Sequence, residues 1–143
     1  DVIEHLDDDM SAVANLLKMV KPGGFVFLTV PAHTWLWNNR DRMESHKRRY
    51  SKRRLQDLFT NVEATIVKTH YLFFLILPLL LLRAVHDRLF PKDEFSSLDR
   101  VTSMKIHPLV NGILLYITNL ENIIFGKYPP PMGGTLLIVT RKN

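Results

Sequence analysis

The stretch "PAHTWLWNNRDRMESHKRRYSKRR", residues 31–54, gathers most of the side chains in this sequence that could do chemistry. His33, Asp41 and His46 are its candidates for a general base, a task that suits a group titrating near neutrality. Trp35, Trp37 and Asn38 add the aromatic and amide surface that holds a small organic ligand. The last ten positions hold six Lys or Arg, while the whole chain carries 19 Lys+Arg against 14 Asp+Glu. The basic pI of about 9.6 therefore belongs to one short segment. A nucleic-acid track spreads charge over a face and interleaves it with stacking rings, and here only Tyr50 is such a ring, which argues against that partner. The remaining readings are a solvated face, a contact with anionic lipid head groups, or a grip on an acidic acceptor by the planar forks of Arg48 and Arg49. The segment is read as the rim of a crevice, with Arg48, Arg49 and Tyr50 toward the acceptor.

The elements that must position these residues are legible from pattern. With 143 residues, 46% of them apolar and 23% charged, the chain fits one globular domain. It has no cysteine, which suits a reducing, cytoplasmic setting and leaves no thiolate metal site. Acids at 7–9 followed by Met10, Val13, Leu16, Leu17 and Val20 predict a capped helix over 8–20. "KPGG" turns it into "FVFLTV", a strand over 25–30 expected to be buried on both faces. Ser51 is the expected cap of a helix carrying Leu55, Leu58 and Phe59, and "EATIVKTH" and "TLLIVT" read as further strands.

Residues 71–128 are expected to form a helical, apolar insertion before the last strand. Its run "YLFFLILPLLLL" is too short to span a bilayer and contains Pro78. A polar link, "PKDEFSSLDR", and a helix with Leu109, Ile113, Ile117, Leu120 and Ile124 on one face follow. The insertion either caps the sheet, forms a lid over a greasy acceptor pocket, or rests on a membrane, the last being supported by Arg83, His86 and Arg88 after the run. The expected location is cytoplasmic, with peripheral contact on the inner membrane face.

If "DVIEH" ends a preceding strand, the helix at 8–20 is a right-handed crossover between parallel strands. Ligands of open α/β sheets bind beyond the carboxyl ends of the strands, which brings Asp1–His5 and Pro31–Asp41 to one crevice.

"DVIEHL", a capped helix, "LKMVKPGGFVFLTVP" and a polar loop, followed by "LW" and by "D" ahead of "HKRRYS", together resemble the class I S-adenosylmethionine-dependent methyltransferases. The resemblance implies an α/β fold, the C-terminal part of a Rossmann-like doubly wound sheet, with 1–143 as a single partial domain. It implies methyl transfer from S-adenosylmethionine to a small-molecule, lipid-linked or glycan-related acceptor. Asp1, Val2, Ile3, Glu4 and His5 would then lie beside the cofactor. The family's Gly-rich loop and ribose-holding acid fall upstream of Asp1, so the chain is expected to carry only part of the cofactor site. Quinone-precursor O-methyltransferases hold a divalent metal in a cluster like Asp1, Glu4 and His5. One imidazole and two carboxylates suit Mg²⁺ poorly, and no metal ligand is assigned. The alternative is a non-catalytic, membrane-peripheral or partner-binding module of the same fold.

Overall fold

A computed structural model describes residues 1–92 and 107–143. Among them the chain is α/β, with a small three-stranded antiparallel sheet and five helices. The helices are α1 (Asp9–Lys18), α2 (Asn39–Met43), α3 (Lys52–Asp57), α4 (Leu77–Leu89) and α5 (Pro108–Phe125). The strands are β1 (Phe25–Pro31), β2 (Ala64–Leu72) and β3 (Thr135–Lys142), in the order β1-β3-β2. β3 runs antiparallel to both neighbours, so β1 and β2 run the same way. Most of the polar link "PKDEFSSLDR" lies outside the described residues.

Local chemistry sets these elements. Asp8 caps α1, its carboxylate accepting from Ser11 N at 2.9 Å. Gly23, at φ 78°, takes the left-handed turn that a side chain would resist, and its N–H donates to Lys142 O at 2.9 Å, fastening the turn to the end of β3. Ser51 caps α3 as expected, accepting from Arg54 N. Val26, Leu28 and Val30 share a sheet face with Leu136 and Ile138. That face packs on Val13 and Leu17 of α1 and on Leu55, Leu58 and Phe59, forming the main core.

Three expectations are corrected. β1 is buried on one face only: Phe27, on the other, is 70% exposed. Residues 3–5 are not the tail of a strand, and among the described residues β1 pairs with β3. Residues 3–5 form a 3-10 turn closed by His5 N to Val2 O and Leu6 N to Ile3 O, and this turn drives Ile3 into the core, a geometry no extended strand can share. The insertion expected over 71–128 is helical, but Tyr71 and Leu72 belong to β2, and of its three readings the exposed stripe of Leu109, Ile113, Leu120 and Ile124 goes against the one in which it caps the sheet.

The basic segment is also not a free rim. Tyr50 is fully buried and donates its hydroxyl to Asp9 Oδ2 at 3.0 Å. Arg48 and Arg54 reach the same carboxylate at 2.9 and 3.0 Å, and Lys47 pairs with Asp7. Backbone bonds from Tyr50 N to Pro31 O and from His33 N to Tyr50 O lay the segment beside the end of β1. Burial is the largest single effect on Asp9 and would raise its pKa, but the hydrogen bonds from Arg48, Tyr50 and Arg54 outweigh it and hold the carboxyl below its ordinary range. Burial, then the bond to Asp9, pushes the Tyr50 phenol well up, so it stays a donor.

Replacing Asp9 by Ala leaves the buried Tyr50 hydroxyl with only the Ile3 carbonyl, at 3.4 Å, to accept from it, and two arginines without their anion. Because Arg54 is half-exposed, the expected cost sits toward the lower end of the range for a broken buried pair, about 3 kcal/mol, read from urea unfolding midpoints. A loss below about 0.5 kcal/mol would show that the network is solvated rather than structural.

Candidate functional site

A cavity of about 250 Å³ opens at the carboxyl end of β1. Its polar lining includes Asp1, Asn38, Asp41, Glu44, His46 and Arg49, together with Arg40 and Arg83, and its apolar lining includes Leu36, Phe73, Ile76 and Leu80. The two stretches expected to share a crevice, around Asp1 and around Pro31–Asp41, thus both line it.

The polar lining is built around Asp41, which is 1% exposed. Asn38 caps α2 by accepting from Arg40 N, and Asp41 Oδ2 returns the favour by accepting from Asn38 N at 2.9 Å, a capping box. Oδ1 then receives both His46 Nδ1 at 2.8 Å and Arg49 Nε at 2.9 Å. Nδ1 being engaged, Nε2 is the nitrogen left to a ligand, with Glu44 Oε2 3.3 Å from it. An imidazole oriented by a buried carboxylate is the arrangement that takes a proton from a bound hydroxyl or amine.

The other expected residues fall differently. Arg49 lines the cavity, but its guanidinium is committed to Asp41 and to Ala32 O at 3.0 Å. Arg48 and Tyr50 turn to Asp9, away from any acceptor, because a buried carboxylate demands the donors more than an open crevice does. Trp35 and Trp37 do not line the cavity. Trp35 stacks on His33 at 4.8 Å between ring centres, Tyr71 stacks on His33 at 5.0 Å, and Arg88 donates to the Trp35 carbonyl at 2.7 Å. His33 is thus stacked on two rings and does not line the cavity. Its φ of 57° is strained for a non-glycine residue, and its Nε2 is buried without a hydrogen-bond partner among the described residues.

Sequence reasoning missed the apolar lining. Leu36 packs with Leu77 and Ala84 of α4, and Asn39 N donates to Asp87 of α4 at 3.0 Å, fastening α4 over the site loop. Nothing local in the sequence signals contacts across some forty residues.

Among the five residues expected beside a cofactor, Asp1 lines the cavity, Val2 is exposed, Ile3 is core and His5 is partly exposed. Glu4 is fully buried, and neither carboxylate oxygen has a hydrogen-bond partner among the described residues. Glu4, His5 and His46 offer ligand atoms within 4.8 Å of one another. Two imidazoles and a carboxylate fit Zn²⁺ better than Mg²⁺, with Asp41 behind His46 as an outer-shell orienter. The fitting set replaces Asp1 by His46. A metal on His46 Nε2 would occupy the lone pair that a base needs, so the two roles exclude each other.

Comparison with protein-family models, curated proteins and solved structures finds no match to this chain.

His33 and His70 both have lowered pKa values, through burial first and then through cations (Arg49 for His33; Lys68 and Lys52 for His70). Below the ordinary value of 6.5 the unfolded chain takes up protons that the native state resists, so stability is full above that pH and falls as pH drops beneath it. His33→Asn, which tolerates the positive φ, is expected to make the stability-against-pH curve shallower below 6.5. An unchanged slope in chemical unfolding at successive pH values would place the titration elsewhere.

Proposed function

We propose that this chain forms part of an enzyme transferring a methyl group from S-adenosylmethionine to an amphiphilic acceptor, small or lipid-linked. One observation carries the reading: an Asp41–His46 pair lining a cavity that Leu36, Phe73, Ile76 and Leu80 also line. The finer fold, the C-terminal part of a Rossmann-like doubly wound sheet, is supported by same-sense β1 and β2, joined through α2 and α3, with β3 running opposite between them. The methyl donor rests on the resemblance of "DVIEHL" and "KPGGFVFLTVP". The buried carboxyl of Glu4, whose oxygens have no hydrogen bond among the described residues and have His5 Nε2 at 3.8 Å, suits a cationic sulfonium or ammonium group nearby.

S-adenosylmethionine supplies an electrophilic methyl group on a sulfonium that becomes a neutral thioether when the carbon–sulfur bond breaks. The chain's part is to hold the acceptor and to take its proton. Leu36, Phe73, Ile76 and Leu80 receive the acceptor's apolar portion, leaving its hydroxyl or amine toward His46. His46 Nε2 accepts that proton as the new bond to the methyl group forms. Asp41 and its capping box keep the ring in place and stabilise the imidazolium. Since little charge must be created, positioning carries most of the rate, up to roughly 7–11 kcal/mol.

In the full-length protein, His46→Ala is expected to lower turnover by about 10²–10⁴ at neutral pH with S-adenosylmethionine binding unchanged. The deficit should narrow as pH rises and the acceptor ionises unaided. Excess Zn²⁺ should inhibit the parent by taking Nε2, and chelators should not. A His46→Ala pH–rate profile matching the parent's, or activity restored only by metal, would overturn the assignment of the base. Calorimetry showing no binding of S-adenosylmethionine would overturn the reaction itself.

A further inference from the structure

Helix α5 is built inside out. A helix bathed in water turns its charges outward and its apolar stripe inward. Of the eighteen residues Pro108–Phe125, only Glu121 carries a charge, and it is the one residue that is buried. Its carboxylate accepts from Leu75 N at 2.8 Å, while nearby Phe125 meets Phe74 edge-on at 5.4 Å. Elsewhere the helix presents apolar side chains outward: Ile123 is 80% and Leu109 72% exposed, with Ile113 and Ile124 also bare. Leu115, two residues on from Ile113 and so on nearly the opposite side, is exposed too. The Thr118 hydroxyl is satisfied within the helix, donating to Leu114 O at 2.9 Å.

Helix α4 also bares apolar side chains, with the exposed Arg83, His86 and Arg88 among them. Leu79, Leu82, Leu89 and Phe90 face out, while its single acid, Asp87, is drawn inward to Asn39 N. Across residues 73–92 and 107–130 both carboxylates are shielded, whereas Arg83 and Lys127 remain at the surface. An apolar surface edged by cations, with its acids hidden, complements one partner better than any other: a lipid leaflet bearing anionic head groups. The polar side chains these faces expose are Asn111, Asn119 and Asn122 with Tyr116 on α5, and the cations of α4, so no exposed carboxylate among the described residues of either helix opposes an anionic surface. At 18 residues and about 27 Å, α5 has the length of a bilayer's hydrocarbon region, and its mean hydropathy is 1.2.

We infer that α5 and the outward face of α4 are a lipid-binding surface, with α5 seated in the hydrocarbon of an anionic leaflet and Lys127, beside Tyr128, at its head-group boundary. The inference stands whether or not methyl transfer is the reaction.

Flotation of the full-length protein with vesicles of mixed phosphatidylglycerol and phosphatidylcholine tests it. The parent is expected to float. Ile123→Glu places a charge where the surface meets lipid and should cut partitioning at least about tenfold. Lys127→Gln should weaken binding to the anionic vesicles about fivefold and leave binding to pure phosphatidylcholine unchanged. Phe27→Glu changes an equally bare apolar residue on the sheet and should float like the parent, with circular dichroism confirming that all variants fold. Failure of the parent to float, or equal flotation of Ile123→Glu, would overturn the inference. So would a parent that stays in the aqueous phase as a stable dimer dissociated by Ile123→Glu, which would make a second copy the occupant.

Discussion

Two buried carboxylates, Asp9 and Asp41, need cations, and the way this chain supplies them shapes everything around the site. A carboxylate withdrawn from water without compensation costs several kcal/mol, so each must be met by donors of matching geometry. Arg48 serves Asp9 and Arg49 serves Asp41. The two arginines are adjacent in an extended segment that bridges to the end of β1, and successive side chains of extended backbone point opposite ways. One short stretch thereby ties the start of α1 to α2 and fixes the carboxyl end of β1 between them. The dense charge of residues 45–54 is an internal clamp.

The cavity inherits its order from that clamp. Asp41 cannot shift, because its two oxygens are held by Asn38 N, His46 and Arg49. His46 is consequently a fixed ring, its Nδ1 held by Asp41 and its Nε2 3.3 Å from Glu44 Oε2. His33, strained and stacked between Trp35 and Tyr71, holds the preceding loop in register. Strain at such a position persists only where the surroundings over-determine it, and here two rings and a backbone bond to Tyr50 do so.

α4 has two environments at once. Its inner side closes the cavity through Leu80 and packs Leu77 and Ala84 on Leu36, and its outer side carries Leu79, Leu82 and Leu89. A helix apolar on both sides is expected where each side meets a non-aqueous surface. On the proposed reading, an acceptor with a long apolar portion would meet the same helix at the cavity wall and at the proposed lipid surface.

Much of this architecture was legible before folding was considered. Local rules identified α1, the Gly turn, the three strands, the Ser51 cap and the two helices of the insertion, because capping, φ preferences and apolar runs act over a few residues. The pattern also brought Asp1 and the loop after β1 to one crevice. What local pattern does not encode is which partner wins a shared side chain. Arg48, Arg49 and Tyr50 read as acceptor ligands until tertiary structure places buried Asp9 and Asp41 within reach, and desolvation then decides the competition. Likewise, periodicity reports that α5 has an apolar stripe but not which way it faces; the direction is set by Glu121 reaching Leu75, a contact across 46 residues. Sequence determined the elements and their chemistry, and the tertiary structure decided their allegiance, because burial and long-range pairing depend on neighbours that no local window contains.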